Sequence, residues 1–118
     1  MGGSIQGTEL SLSTAVTTLA GTGSSGSANG TGTSASFDEP RGITTDGTNL
    51  YVSDYSNQLI RQIVISTGVV TTVAGTGSRG SANGTGTSAS FNEPRGITTD
   101  GTNLYVTDYG NHLIRKIE

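Results

Sequence analysis

Residues 50–63 read Leu-Tyr-Val-Ser-Asp-Tyr-Ser-Asn-Gln-Leu-Ile-Arg-Gln-Ile, and residues 104–117 repeat them as Leu-Tyr-Val-Thr-Asp-Tyr-Gly-Asn-His-Leu-Ile-Arg-Lys-Ile. The two stretches belong to a longer repeat, because residues 16–64 align without gaps on residues 70–118 with 41 identities in 49 positions. The period is 54 residues. Such self-similarity indicates a repeat architecture in which each repeat forms one structural unit. Repeats this similar indicate recent amplification or engineering.

Each period contains four short segments rich in β-branched and aromatic residues, separated by turn residues, which is the pattern of β-strands. No stretch of ten residues shows an apolar period of 3.6, so we expect no helix beyond a turn near residues 34–37. The second and third segments are apolar on both faces, which favours a sheet covered on both sides. The fold class is therefore all-β. In the first repeat the predicted strands a, b, c and d are residues 42–46, 50–55, 59–67 and 69–74.

The composition excludes several classes of partner. The formal net charge is −3 and no cluster of Lys or Arg occurs, so we expect no nucleic-acid partner, since phosphate binding needs converging cations. No apolar run is long enough to span a membrane, so no membrane partner is expected. The chain has no cysteine, so a disulfide framework and thiolate metal sites are excluded.

The motif Pro-Arg-Gly-Ile at residues 40–43, followed by the stretch at 50–63, resembles the NHL repeat. Residues 94–117 match the same pattern and read Asn-His-Leu at 111–113, the three residues that name the repeat. The resemblance implies β-propeller blades of four antiparallel strands, with two blade equivalents in this chain. It also implies a binding platform for protein or RNA, or more rarely a lyase or hydrolase.

The order of predicted strands implies how a propeller would close. We assign residues 1–14 to a leader and N-terminal extension, 15–20 to an outer d strand, 21–74 to blade 1 with its loop, and 75–118 to a blade 2 without its outer strand. In closed propellers of this kind the N-terminal strand completes the last blade, and two blades cannot bend round to meet. The predicted closure strand, which must pair with another chain, comprises Val16, Thr17, Thr18 and Leu19.

This head-to-tail contact predicts a homo-oligomer, because heterologous interfaces close into rings when the rotation allows. Three chains would give six blades and four would give eight. The long connection between strands d and a spans a wide gap, which favours a tetramer over a trimer.

We predict a structural turn network in each repeat, formed by Asp54, Asn57 and Arg61 and by Asp108, Asn111 and Arg115. Each carboxylate is expected to accept hydrogen bonds from backbone amides of the b–c turn and to pair with the arginine. The alternative is a ring of carboxylates that binds cations, to which other acidic residues could also contribute: Asp46 and Asp100, or Asp38, Glu39 and Glu93. No dense run of oxygen ligands supports a dedicated metal site, so none is predicted.

Arg41 and Arg95 are the candidate ligand-binding residues, because each enters strand a at the predicted mouth of the central channel. There they would attract an anion or an acidic partner. The favoured alternative is a salt bridge from each arginine to its neighbour, Glu39 or Glu93. His112, the one histidine, is expected to be a surface turn residue.

No cofactor is predicted. Residues 21–26 and 75–80 match G-x-G-x-x-G, but the Ser-Ala-Asn-Gly-Thr-Gly-Thr-Ser that follows cannot form the helix that a dinucleotide site needs. The leading functional hypothesis is a non-catalytic, self-assembling structural module with no catalytic residues. The alternative is a domain that binds a protein or ligand on the long-loop face. An enzyme would need a cluster of histidines and carboxylates that this sequence lacks.

Overall fold

The computed structural model describes residues 10–118. It is built from antiparallel strands joined by short turns, so the predicted all-β class is confirmed. The helical elements among these residues are 3-10 turns of three residues each, and none of them is long enough to cross a membrane. The strands are β1 (Gly30–Thr31), β2 (Pro40–Thr45), β3 (Asn49–Asp54), β4 (Leu59–Val64), β5 (Val69–Ala74), β6 (Pro94–Thr99), β7 (Leu104–Asp108) and β8 (Leu113–Ile117).

The first sheet has the order β1-β5-β4-β3-β2, one strand more than the predicted four. The extra strand is β1, a piece of the loop before the sheet, which pairs Gly30 with Val70 on the outer edge of β5. Strand β4 ends at Val64, earlier than predicted, because the chain turns there: the Gly68 amide donates to the Val64 carbonyl at 2.7 Å. Gly68 has φ +77°, which residues with a Cβ rarely adopt.

The second sheet has the order β6-β7-β8. Within residues 10–118, β8 pairs with β7 alone, so its other edge has no partner strand. Residues 15–20, predicted as an outer strand that pairs with another chain, form no ladder among residues 10–118. A β-strand needs a neighbouring strand to receive its backbone hydrogen bonds, so the prediction of a strand here concerns pairing between chains. The predicted leader at residues 1–14 falls largely outside the described residues.

The two sheets pack face to face through β2, β3 and β6. A cluster of five buried apolar side chains fills the joint between them, and each such burial contributes about 1.5–3 kcal/mol. A second cluster lies on the opposite face of the first sheet. The joint contains Ile60, Ala74, Phe91, Leu104 and Val106, and the second cluster contains Ala35, Val52, Ile63 and Val70.

The long loops, residues 21–39 (the first loop) and 75–93 (the second loop), are ordered by their own hydrogen bonds. In the first loop the Gly26 amide donates to the Phe37 carbonyl at 3.1 Å, and the Ala28 amide donates to Ser36 Oγ at 2.8 Å. The helical turn predicted near residues 34–37 is a 3-10 turn at Gly32–Ser34. Each loop therefore has a defined shape and can position the residues around it.

Candidate functional site

Each repeat buries one ion pair beneath its long loop. Arg61 Nη1 lies 2.8 Å from Asp54 Oδ2, and both side chains are fully buried. Arg61 also donates to the backbone carbonyls of Ser36 and Ala28, each at 2.9 Å. Asn57 Nδ2 donates to the same carboxylate oxygen at 2.8 Å. The arginine thus fastens the first loop to β4.

The second repeat builds the same arrangement from Asp108, Asn111 and Arg115, with an ion-pair distance of 2.8 Å. The b–c turn reaches each carboxylate through the side chain of Asn57 or Asn111, and the hydrogen bonds predicted from backbone amides of the turn are replaced by one from a long loop. Asp54 Oδ1 accepts from the amide of Asp38, and Asp108 Oδ1 accepts from the amide of Asn92, both at 2.8 Å. Both donors belong to the long loops, because each carboxylate points from the end of its strand beneath the loop that crosses it.

The joint between the sheets combines apolar packing with two polar contacts. Gln58 Oε1 accepts from the amide of Glu93 at 2.6 Å, and Ser53 Oγ donates to the carbonyl of Arg95. The backbones approach so closely that a Cβ on Gly42 would lie 2.4 Å from the carbonyl oxygen of Arg95. Only glycine fits at this position.

In the second repeat the same face is not covered by any of residues 10–118. Ile60 is 0% exposed in the joint, whereas its counterpart Ile114 is 72% exposed. Leu59 is likewise buried and its counterpart Leu113 exposed. His112, the counterpart of Gln58, also lies exposed in this face. We call this surface, residues 107–114 with their exposed apolar side chains, the leading face.

The first repeat presents the complementary half of the joint. Ala20, Phe37, Leu50 and Val52 pack together on its outer side, and they correspond in sequence to Ala74, Phe91, Leu104 and Val106 of the joint. The joint holds one more residue, Ile60, for which this surface has no counterpart. A hollow of about 270 Å³ lies there, and Ile43 at its rim is 61% exposed. We call this surface the trailing face.

An open groove of about 380 Å³ runs along the unpaired edge of β8. Its walls are residues 83–86 of the second loop and residues 115–118. In the first repeat the corresponding space, between β4 and β1, is filled by β5. The groove, called here the edge groove, therefore has the position of a missing strand.

The predicted closure residues are exposed to solvent in the single chain. Val16 is 94% exposed and Leu19 is 45% exposed, and residues 16–18 are exposed throughout. The segment Val-Thr-Thr-Leu-Ala at residues 16–20 differs from residues 70–74 of β5 at one position. It carries the sequence of a strand without the pairing of one.

Arg41 and Arg95 do not form the expected salt bridges. The Arg41 guanidinium stacks on the Tyr55 ring, 3.9 Å from its centroid, and Arg95 stacks on Tyr109 at 3.7 Å. Arg95 also lies 5.3 Å from the centroid of Tyr55 and donates to its hydroxyl at 3.5 Å. That hydrogen bond raises the pKa of Arg95 above its ordinary value. The arginines are held by aromatic faces because the tyrosine that opens each b–c turn lies beside them.

Asp46 and Asp100 organise the a–b turns. Asp46 Oδ1 accepts from the amides of Thr48 and Asn49 at 2.9 and 2.8 Å, and these hydrogen bonds lower the pKa of Asp46. The amides of Asn103 and Thr102 lower the pKa of Asp100 in the same way. Among residues 10–118 no three His, Cys, Asp or Glu side chains converge as metal ligands.

The family model described as NHL repeat matches residues 91–117. The chain carries NHL repeats. NHL repeat-containing protein 2 from Bos taurus is 38% identical over 98 residues, which is 79% of this chain and 14% of that protein. Its Homo sapiens counterpart is 37% identical over the same share of each chain. The chain thus spans about one seventh of the length of these relatives.

Two solved structures with similar folds are also larger than this chain. A structural genomics protein of unknown function from Bacteroides thetaiotaomicron has a TM-score of 0.76 and 30% identity, over 82% of this chain and 26% of that one. An auxiliary nutrient binding protein from Bacteroides ovatus has a TM-score of 0.72 and 30% identity, over 80% of this chain and 26% of that one. In both, this chain matches about a quarter of the protein.

Sequence reasoning missed the residues that join one NHL repeat to the next. Gln58 lies between the predicted strands b and c, where nothing marks it as a contact residue, yet it links the sheets through Glu93. The stacking of Tyr55 and Tyr109 on the arginines was also missed. A signal was present, since Pro-Arg and Asp-Tyr recur at fixed spacing in both repeats. Their contact spans about 40 residues in one case, and so no local pattern shows it.

Proposed function

We propose that this chain is a non-catalytic structural module, a two-bladed propeller fragment that assembles with copies of itself by strand exchange. The observation that carries the proposal is the match between the edge groove and residues 16–20. The edge groove is an empty strand position among residues 10–118. Residues 16–20 repeat, with one difference, the sequence of the strand that fills this position in the first repeat, and residues 16–19 are exposed. Unpaired strand edges are ready templates for such pairing.

The first repeat supplies the register of the exchanged strand. Strand β4 pairs with β5 through Ile60 with Ala74, Arg61 with Thr72 and Gln62 with Thr71. Moved by one period, these pairs become Ile114 with Ala20, Arg115 with Thr18 and Lys116 with Thr17 of a second chain. The loop on the outer side of β5 supplies a further contact, because Thr72 Oγ1 donates to Asn29 Oδ1 at 3.3 Å. Asn83 is the counterpart of Asn29, and it would accept from Thr18 of the second chain in the same way.

The two exposed faces fit by the same shift. The leading face offers Ile114, and the trailing face has the hollow in which the joint between the sheets holds Ile60. Burial of an isoleucine contributes about 1.5–3 kcal/mol, so the assembly gains a core cluster at every joint. A contact between different faces of identical chains propagates head to tail, and it closes into a ring when the rotation from one chain to the next divides a full turn.

Ring size follows from the angle between successive sheets. Three chains make a six-bladed ring and four make an eight-bladed ring, and the long loops favour four. Light scattering measures this directly, since the oligomer mass is three or four times 11.9 kDa.

The experiment compares Thr18→Pro with Ser13→Pro. Proline cannot donate to a ladder and is excluded from central strands, so Thr18→Pro should convert the oligomer to monomers. Both residues are exposed and lie outside every ladder formed among residues 10–118, so neither change should unfold the single chain. Ser13→Pro should keep the oligomer mass. A monomeric parent chain, or an oligomer that survives Thr18→Pro, would contradict the proposal.

A second candidate function is ligand binding on the face that carries Arg41 and Arg95. Two observations favour it: the arginines have no carboxylate partner among residues 10–118, and a structurally similar protein is described as an auxiliary nutrient binding protein. Equilibrium dialysis against anionic and neutral small molecules tests it, and equal retention of both classes would argue against it.

A further inference from the structure

Two guanidinium groups of this chain share one aromatic ring. Arg41 lies 3.9 Å and Arg95 lies 5.3 Å from the centroid of Tyr55. Arg95 is also covered by Tyr109 at 3.7 Å, so the four side chains alternate as arginine, tyrosine, arginine and tyrosine. Stacking fixes the planes of the guanidinium groups. Among residues 10–118 their one hydrogen bond runs from Arg95 Nη2 to the Tyr55 hydroxyl at 3.5 Å.

Neither of these arginines has a carboxylate within ion-pair distance among residues 10–118. Their sequence neighbours are engaged elsewhere, because Glu93 pairs with Arg79 at 3.6 Å and Glu39 accepts from Ser56 Oγ. None of the ion pairs among residues 10–118 includes Arg41 or Arg95. Arg95 Nε is buried and has no hydrogen-bond partner among these residues. Two fixed cations with unused donors thus lie together in a chain of net charge −3.

From this geometry we infer that Arg41 and Arg95 form an oxyanion site that takes ligands bearing carboxylate or phosphate groups. The planar fork of N–H donors on a guanidinium matches the paired oxygens of both groups. The tyrosines hold the forks in place, so less side-chain entropy is lost when the anion binds. This inference deepens the second candidate function and rests on it.

The site lies within one chain and does not require the ring. Assembly would extend it, because Tyr109 is 52% exposed and occupies in the second repeat the place that Tyr55 has in the first. Arg41 of the next chain would then stack on it, as Arg95 stacks near Tyr55, and the arginines would alternate with tyrosines around the whole ring.

Isothermal titration calorimetry with inorganic phosphate and with citrate tests the site and separates the two ligand sources. We expect saturable binding of at least one anion, weakened roughly ten- to a hundredfold by Arg41→Gln or Arg95→Gln, as charge-assisted hydrogen bonds are lost. The control is Lys116→Gln, which removes the same charge and places there the residue found at Gln62. It should leave the affinity unchanged.

Light scattering on the same samples distinguishes failure of this site from failure of the assembly. Anion binding should persist in the Thr18→Pro chain, because Arg41, Tyr55 and Arg95 remain together there. No binding of either anion at about 10 mM, or equal affinities for the two arginine variants and Lys116→Gln, would overturn the inference.

Discussion

Ile60 and Ile114 occupy the same position in the two repeats but differ in what surrounds them. The same substitution should therefore lower the free energy of unfolding of the single chain at Ile60 and weaken the contact between chains at Ile114. Ile60 is 0% exposed within the joint, and Ile60→Ala should cost about 2–5 kcal/mol of folding free energy through lost burial and the cavity left behind. Ile114 is 72% exposed in the single chain, so Ile114→Ala should change its folding free energy by no more than about 0.5 kcal/mol.

In the ring the position of Ile114 becomes equivalent to that of Ile60. Ile114→Ala should therefore remove about 2 kcal/mol or more from every joint, which corresponds to a roughly thirtyfold weaker contact. The loss recurs at each of three or four joints. The ring should thus dissociate on dilution at concentrations where the parent chain stays assembled.

Two assays separate the effects. Urea denaturation in the Thr18→Pro background reports the stability of the single chain, and light scattering over a dilution series reports the ring. The reasoning fails if Ile114→Ala destabilises the single chain as strongly as Ile60→Ala does. It also fails if Ile114→Ala leaves the dilution behaviour of the oligomer unchanged.

Three further predictions concern folding, backbone approach and acid stability. Asp108→Ala leaves Arg115 buried without its partner and should lower the free energy of unfolding, measured by chemical denaturation, by about 3–5 kcal/mol. The control Glu118→Ala removes the exposed pair with Lys116 and should lower it by less than about 1 kcal/mol. Equal losses would contradict the role assigned to the buried pair. Gly42→Ala places a Cβ 2.4 Å from the Arg95 carbonyl oxygen and should destabilise the single chain by about 1–3 kcal/mol. In the single chain Gly96→Ala meets only the Thr107 side chain, so it should weaken assembly instead. If both variants destabilise the monomer equally, the joint between chains is not equivalent to the joint within one chain. Asp46 and Asp100 have lowered pKa values, so their contribution to stability is present above about pH 3.8 and is lost as the pH falls through their lower folded values. NMR titrations of the carboxyl carbons should place both midpoints below 3.8. Midpoints above 3.8 would show that the turn hydrogen bonds do not form.

Local patterns predicted the strands well where the signal was local. The predicted strand d, residues 69–74, coincides with β5, because Val and Thr residues preceded by a turn glycine mark it clearly. The predicted strand c is longer than β4, because Ile65 continues the apolar pattern of the strand although it already belongs to the turn. Turn geometry depends on which amide reaches which carbonyl, and composition alone does not specify that.

The candidate sites were predicted by residue but not by partner. Asp54 and Arg61 are seven positions apart, and their ion pair could be predicted. The amide of Asp38 reaches Asp54 from the first loop, whose Gly, Ser and Thr residues do not specify a conformation. Arg95 was expected to pair with its neighbour Glu93, yet its contacts are with Tyr109 and Tyr55. Contacts between consecutive sheets depend on how the sheets stack, which periodicity within one repeat does not reveal.

A disulfide between the N-terminal segment and β8 tests strand exchange most directly. The chain has no cysteine, so Thr17→Cys with Lys116→Cys adds the only two thiols. In the proposed register these residues face each other as Thr71 faces Gln62, and paired antiparallel residues lie about 4.5–5.5 Å apart between Cα atoms, within reach of a disulfide. The account predicts that mild oxidation links three or four chains into one covalent ring, seen on non-reducing gels, whereas each single variant stays unlinked or forms dimers at most. Oxidised double-cysteine chains that run only as monomers would contradict it.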